Sequence, residues 1–191
     1  MSRWKFFLAC VLLMTGPMLA ASSLAAELGD DGLHKPSWLR ETFKDLREDL
    51  SDANSENKRL LLIVEQRGCI YCTKMHEEVF SDPGIGAFIR EHFYVVQLNL
   101  FGDIEVTDFD GTVLPEKEMA IRWGVMFTPT LIFLPEDVGS GLSAQQAAVA
   151  AMPGAFGKGT TSALLNWIVD HGYQSGEHFQ KFLARQMAIE N

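Results

Sequence analysis

Two cysteines set three apart, in the run Cys69-Ile70-Tyr71-Cys72, are the residues of this chain best suited to do chemistry. Sulfur attacks as the thiolate, and a thiolate is stabilised where a helix starts. The first helical turn carries unpaired N–H groups and a partial positive charge. The pair stands where such a start is expected. Residues 60–64 form an unbroken apolar run that reads as a buried strand, Gly68 turns the chain, and residues 73–80 read as helix. In this setting Cys69 is the exposed thiol that attacks first. Cys72, one turn later and deeper, resolves the mixed disulfide, and Lys74 adds positive potential. A bridge between such close neighbours closes a tiny loop and constrains little of the unfolded chain. The pair is therefore expected to serve chemistry rather than stability.

The rival use of these sulfurs is a metal site, because Cys69, Cys72 and His76 spell C-x2-C-x3-H. A closed zinc site takes four ligands, and no second C-x2-C or further nearby Cys/His pair accompanies the first. Haem attachment needs a histidine directly after the second cysteine, where Thr73 stands. No bound metal is expected, and a metal chaperone is kept only as the alternative of a different class.

The other chemical cue is Thr128-Pro129, directly before the apolar run 130–134. A proline cannot donate a ladder hydrogen bond, so it fits a strand start. Taken alone it would be expected in the common trans form.

The setting for this chemistry is read from the first residues. Arg3 and Lys5 precede an apolar run over 6–14, Gly16 and Pro17 end it, and small residues follow from Ala20 to Ala26. This is the layout of a secretory signal peptide, with the apolar run shorter than the ~20 residues that span a bilayer. Cleavage after Ala25 or Ala26 is expected, with a retained membrane anchor as the alternative; Cys10 lies too early to be a lipid-anchored cysteine. The signal takes Cys10 with it, so the exported chain keeps two of the three cysteines. It also keeps 14 basic against 25 acidic residues, a net charge of −11, which makes it a poor binder of nucleic acid or anionic lipid. Residues 26–36 read as a linker and 37–191 as one domain.

Within that domain, Ser37 is expected to cap a helix on which Leu39, Phe43, Leu46 and Leu50 recur at helical spacing. Asp82-Pro83 starts a helix carrying Ile85, Phe88 and Ile89, and residues 94–100 alternate as a strand. Asp110-Gly111 marks a small hairpin, and residues 116–123 form a helix ended by Gly124. Strands follow at 130–134 and 147–152, then helices at 161–169 and 177–189. This order predicts an α/β fold with a central sheet and helices on both faces. Trp38, Trp123 and Trp167 read as core, and His92 and His171 as surface residues near helix ends. Asp103, Asp108 and Asp110 do not have calcium-loop spacing and read as a solvated hairpin.

With these elements in place, the chain resembles the thioredoxin superfamily from about Ser37 onward. The run from Glu65 through Cys69 and Cys72 to His76 is most similar to the SoxW-type periplasmic thioredoxins of sulfur-oxidising bacteria. Residues 105–111, 120–124 and Phe127-Thr128-Pro129-Thr130 are similar too. The resemblance implies a three-layer thioredoxin-like fold with a mixed sheet and a cis Pro129 beside the cysteines. It also implies substrate contact through Thr128, Pro129, Ile70 and Tyr71. The chain departs from cytoplasmic thioredoxins in having Gly68 before Cys69 and Ile70-Tyr71 between the thiols. Ile63 stands where those proteins bury an aspartate. Glu65 is the candidate substitute as proton acceptor, or else a solvated or salt-bridged strand end.

The function so implied is a periplasmic dithiol reductase. It would receive electrons from a membrane thiol transporter and reduce disulfides or sulfur adducts on exported proteins, in sulfur-compound oxidation. No organic cofactor is required, and the protein is expected to be a monomer. Tyr71 and Thr128 also resemble periplasmic disulfide isomerases, so an isomerase or oxidase is the alternative; segment 26–58 is too short for the dimerisation domain that isomerases of that kind carry. N-terminal sequencing of protein from the native cell envelope should find Ala26 or Glu27 first. An intact Met1 start in a membrane fraction would contradict the export reading.

Overall fold

A computed structural model describes residues 26–189; the expected signal peptide lies outside the described residues. At the centre is strand β2 (Arg59–Glu65). It pairs in parallel with β3 (Phe93–Asn99) on one side and antiparallel with β6 (Thr130–Phe133) on the other. The short β1 (Leu39–Arg40) adds in parallel to β3, and β7 (Ala150–Pro153) adds antiparallel to β6, giving the order β1-β3-β2-β6-β7. The sheet is therefore mixed, as expected for this α/β fold.

Alternation along β2 assigns its side chains to two cores. Leu61 and Ile63 face a layer built from α2 (Ile70–Met75), α3 (Pro83–His92) and α6 (Lys158–Val169), with Met75, Ile89, Leu164 and Ile168. Leu60, Leu62 and Val64 face α1 (Leu46–Ser55) and α4 (Glu116–Arg122), with Leu46, Leu50 and Met119. A strand covered on both faces reads as a continuous apolar run. Trp38, Trp123 and Trp167 are buried in these cores, while His92 and His171 are partly exposed near the ends of α3 and α6.

Several local expectations change. Ser37 does not cap a helix. Lys44 takes a positive φ of 57°, which breaks any helix passing through it. Asp45 caps instead, accepting from the N–H groups of Arg47 and Glu48. Leu39 thus joins the sheet edge, and Phe43 stands 91% exposed. The expected strand at 147–152 splits into α5 (Ala144–Ala147), closed by a Ser143–Gln146 capping box, and β7. Helix α2 continues through a π-helical turn, His76–Phe80. The hairpin forms from β4 (Glu105–Thr107) and β5 (Val113–Pro115). A 3-10 turn, Gly172–Ser175, leads to α7 (Phe179–Ile189).

Residues 26–36, whose composition reads as a linker, lie folded on the domain. Leu28 and His34 form an antiparallel bridge, Leu33 is buried, and the Arg67 side chain donates to the carbonyls of Asp30 and Asp31. Asp108 is likewise no solvated residue. It is fully buried and accepts from Trp123 Nε1, the Ala144 N–H and its own neighbour Phe109 N–H, each at 2.8 Å. It also pairs with Arg122. One carboxylate thus ties the hairpin to α4 and α5, and its loss leaves buried donors unpaired. Asp108→Ala should lower unfolding stability by about 3 kcal/mol, whereas Asp103→Ala should change it little. Denaturant melts of the two variants check this; equal midpoints would contradict it.

Candidate functional site

Cys69 is the N-cap of α2, and its Sγ accepts from the Cys72 N–H at 3.0 Å. The sulfur is thereby aimed at the unpaired donors of the first turn. Gly68, at φ 71°, makes the turn from β2 into this position, a backbone region that favours glycine. Cys69 and Cys72 are joined as a disulfide. Both are buried, Cys72 the deeper at 1% exposure against 6%. Cys69 is thus buried, rather than the exposed thiol that the sequence predicts, because the Thr128 side chain and carbonyl lie against its sulfur.

The second wall of the site comes from the loop before β6. The antiparallel pairing of β2 with β6, with Val64 opposite Thr130, carries residues 128–129 to the cysteine end of the sheet. The Thr128–Pro129 bond is cis. Thr128 Oγ1 donates to Cys69 Sγ at 3.2 Å, and the Thr128 carbonyl oxygen lies 3.5 Å from the same sulfur. Pro129 is buried, and its carbonyl accepts from the Gly154 N–H at 2.7 Å. Ile70 and Tyr71 are exposed on α2, and Met126 and Phe127 are exposed on the loop that leads to Thr128. Thus Thr128 is in contact with Cys69, while Ile70 and Tyr71 present apolar surface beside it.

Two sequence-derived residues have other partners. Lys74 is well exposed and faces Glu78 at 3.9 Å, so its charge is shared with solvent and a carboxylate. His76, third member of the rival metal set, turns its Nε2 to Glu65 Oε1 at 2.9 Å instead of joining the sulfurs.

Glu65 is neither solvated nor at a surface salt bridge; it is 1% exposed. Its second oxygen accepts from Gln97 Nε2 at 2.7 Å, and Gln97 in turn donates to the His34 carbonyl and accepts from Lys35 Nζ. The His34 ring stacks on His76 with centroids 4.3 Å apart, and Phe80 meets His76 edge-on. Sequence reasoning did not find this cluster. Its signals were Glu65 closing an apolar run and Gln97 inside another, since buried polar groups need partners.

The ligating atoms of His34, Glu65 and His76 lie within 4.8 Å of one another, but the geometry does not suit an ion. The two imidazoles are 14° from parallel. An ion about 2.0–2.1 Å from each nitrogen would stand well out of the plane of at least one ring.

A family model described as a thioredoxin-like domain matches residues 46–166. Among solved structures, a thioredoxin-fold protein from Helicobacter pylori aligns at 21% identity with a TM-score of 0.55, covering 68% of this chain and 81% of that one. A thioredoxin from Thermus thermophilus aligns at 24% identity with a TM-score of 0.52, covering 70% and 90%. Both share the fold. No curated protein matches the chain.

The Thr128 hydroxyl has a definite electrostatic consequence. A donor to a thiolate stabilises the charged form, by about 1.5–3 kcal/mol for a charge-assisted bond. Thr128→Val should therefore shift the midpoint of the Cys69 alkylation-versus-pH curve upward by about one to two pH units. Iodoacetamide labelling of the reduced protein with site mapping checks this; an unmoved curve would show that the hydroxyl does not act on the thiolate.

Proposed function

This chain belongs to the thioredoxin-like family, and on that premise we propose that it works as a thiol–disulfide oxidoreductase in the reducing direction. The observation that carries the thiol–disulfide chemistry is the placement of Cys69, a helix N-cap whose sulfur receives the Cys72 N–H and the Thr128 hydroxyl; the reducing direction is supported by the likeness of the Glu65–His76 run to SoxW-type thioredoxins. In the reduced protein the Cys69 thiolate attacks one sulfur of a substrate disulfide, and the other substrate sulfur leaves with the electron pair. Cys72 then attacks Cys69 Sγ in the mixed disulfide. The Cys69–Cys72 bond forms, the second substrate sulfur departs, and the protein is left in the disulfide form. A dithiol donor restores it by the reverse exchange.

The exposed Ile70, Tyr71, Met126 and Phe127 suit an apolar stretch of substrate around its disulfide. The Thr128 backbone, beside Cys69, is where an extended substrate segment would pair. Export by a signal peptide over residues 1–25 would place the protein in the periplasm, with disulfides or sulfur adducts of exported proteins as substrates. A membrane thiol transporter would be the reductant. The likeness of the Glu65–His76 run to SoxW-type proteins supports a role in sulfur-compound oxidation.

A second reading, oxidase or isomerase, is favoured by the same Thr128 hydroxyl. Donors that stabilise the reduced thiolate make the disulfide more oxidising.

The reductase reading predicts that the dithiol form reduces insulin, followed by precipitation of the freed chains. Cys72→Ala should accumulate mixed disulfides through Cys69, detectable by mass spectrometry. Absence of insulin reduction together with oxidation of a reduced test peptide would favour the second reading; trapping through Cys72 would reverse the assignment of the two sulfurs.

A further inference from the structure

We propose that the hollow bounded by the β1–α1 loop, α1 and β3 binds a primary ammonium carried on an apolar stem, with Asp49 as its deepest acceptor. This hollow is separate from the redox centre. Tyr94, which lines it, pairs with Leu60 near the start of β2, whereas the cysteines follow the end of that strand.

The hollow has a volume of about 390 Å3, and four of its lining side chains are carboxylates, Glu41, Glu48, Asp49 and Asp52. Glu41, Glu48 and Asp52 are exposed, as on any solvated acidic face. Asp49 is different. It is 2% exposed, and its Oδ2 is buried with no hydrogen-bond partner. A buried carboxylate oxygen left without a donor costs free energy, and a cation entering the hollow would supply one. Burial pushes the Asp49 carboxyl up to about 7, with the charges of Asp45, Asp52 and Glu48 adding to the rise and the Thr42 hydroxyl opposing it. From β3, the Tyr94 hydroxyl is also held above its usual range, by burial and by the charges of Asp49 and Asp52. The neighbouring cations have partners of their own. Arg40, from β1, lies 4.9 Å over the Tyr94 ring and pairs with Glu56, and Lys44 pairs with Glu116.

The form of the cation follows from the acceptors and the apolar wall. Among the described residues, these carboxylates do not bring three ligand atoms within 4.8 Å of one another, so they make no compact oxygen cage of the kind calcium takes. One orphaned oxygen suits the point charge of an ammonium, whereas a guanidinium fork is matched by two acceptors side by side. Phe43 lines the same hollow and is 91% exposed. Its ring offers apolar contact to an alkyl stem and a π face to the ammonium. A lysine side chain of a partner protein and a free diamine both carry this chemistry.

Amide NMR shifts of the isotope-labelled protein, titrated at fixed ionic strength with N-acetyl-lysine amide and separately with putrescine, test this. Signals of Phe43, Asp49 and Tyr94 should move and saturate, and sodium chloride in place of the amine should not move them so. Asp49→Asn removes a buried charge and is compatible with the fold; it should weaken binding by about tenfold or more, as expected for a lost charged hydrogen bond. Phe43→Ala, at an exposed position, should weaken it by about threefold. An ammonium favours the ionised carboxylate, so binding is lost as pH falls and Asp49 takes up its proton. Affinity should drop about tenfold from about pH 8 to about pH 5.5 in the parent protein and stay level in Asp49→Asn. Binding of N-acetyl-lysine amide supports the site with a protein lysine as its source, and binding of putrescine alone supports it with a free diamine. Shifts no different from those in sodium chloride, or an affinity unchanged in Asp49→Asn, overturn the proposal. Insulin reduction should be the same in both variants as in the parent, so failure here is distinct from failure of the redox reading.

Discussion

The hydrogen bond from the Cys72 N–H to Cys69 Sγ is the contact around which the molecule is organised. It exists only because a helix begins at the residue where the central strand has just ended. That requires Gly68 to take a positive φ, and β2 to be fixed by neighbours on both edges. It also requires an apolar underside for α2, which Met75, Ile63 and Val79 supply. A shift of β2 by one residue would exchange its two sets of side chains between the cores. Leu61 and Ile63 would leave the α2 layer, and Glu65 would leave His76.

The same strand fixes the opposing wall. Because β6 runs antiparallel to β2, its first residues meet the strand's last ones, and Thr128 is delivered to Cys69 without any direct link in sequence. Sulfur chemistry is thus assembled from two segments about sixty residues apart. Polar groups tolerated in this buried region are those that find partners: Glu65 has two, and Gln97 bonds to three groups on two other segments. The N-terminal segment, through His34, Lys35 and its carbonyls to Arg67, closes that polar layer.

Much of this was legible in sequence because it obeys local rules. The unbroken apolar runs at 60–64 and 131–134 announce strands covered on both faces. The cysteine spacing at a strand-to-helix junction announces the reactive pair. What escaped was set by tertiary partners. Leu39 and Phe43 have helical spacing with Leu46, but the open edge of β3 captured Leu39 and Lys44 broke the helix. Asp108 looks like an ordinary hairpin acid until α4 and α5 present donors to it. Residues 26–36 have linker composition, and only the fold places Gln97, His76 and Arg67 where they can hold the segment down. Glu65 was visible as an anomaly, whereas its partner His76 was first read with the cysteines because they are its nearest ligating neighbours in sequence.

The central claim is that the Cys69–Cys72 pair is redox-active and poised to donate electrons. Its equilibrium reduction potential, titrated against glutathione and dithiothreitol buffers with the thiols counted by mass after alkylation, tests this most directly. The account predicts a value near that of thioredoxin, about −270 mV. A value near about −120 mV, where the disulfide is a strong oxidant, would contradict it.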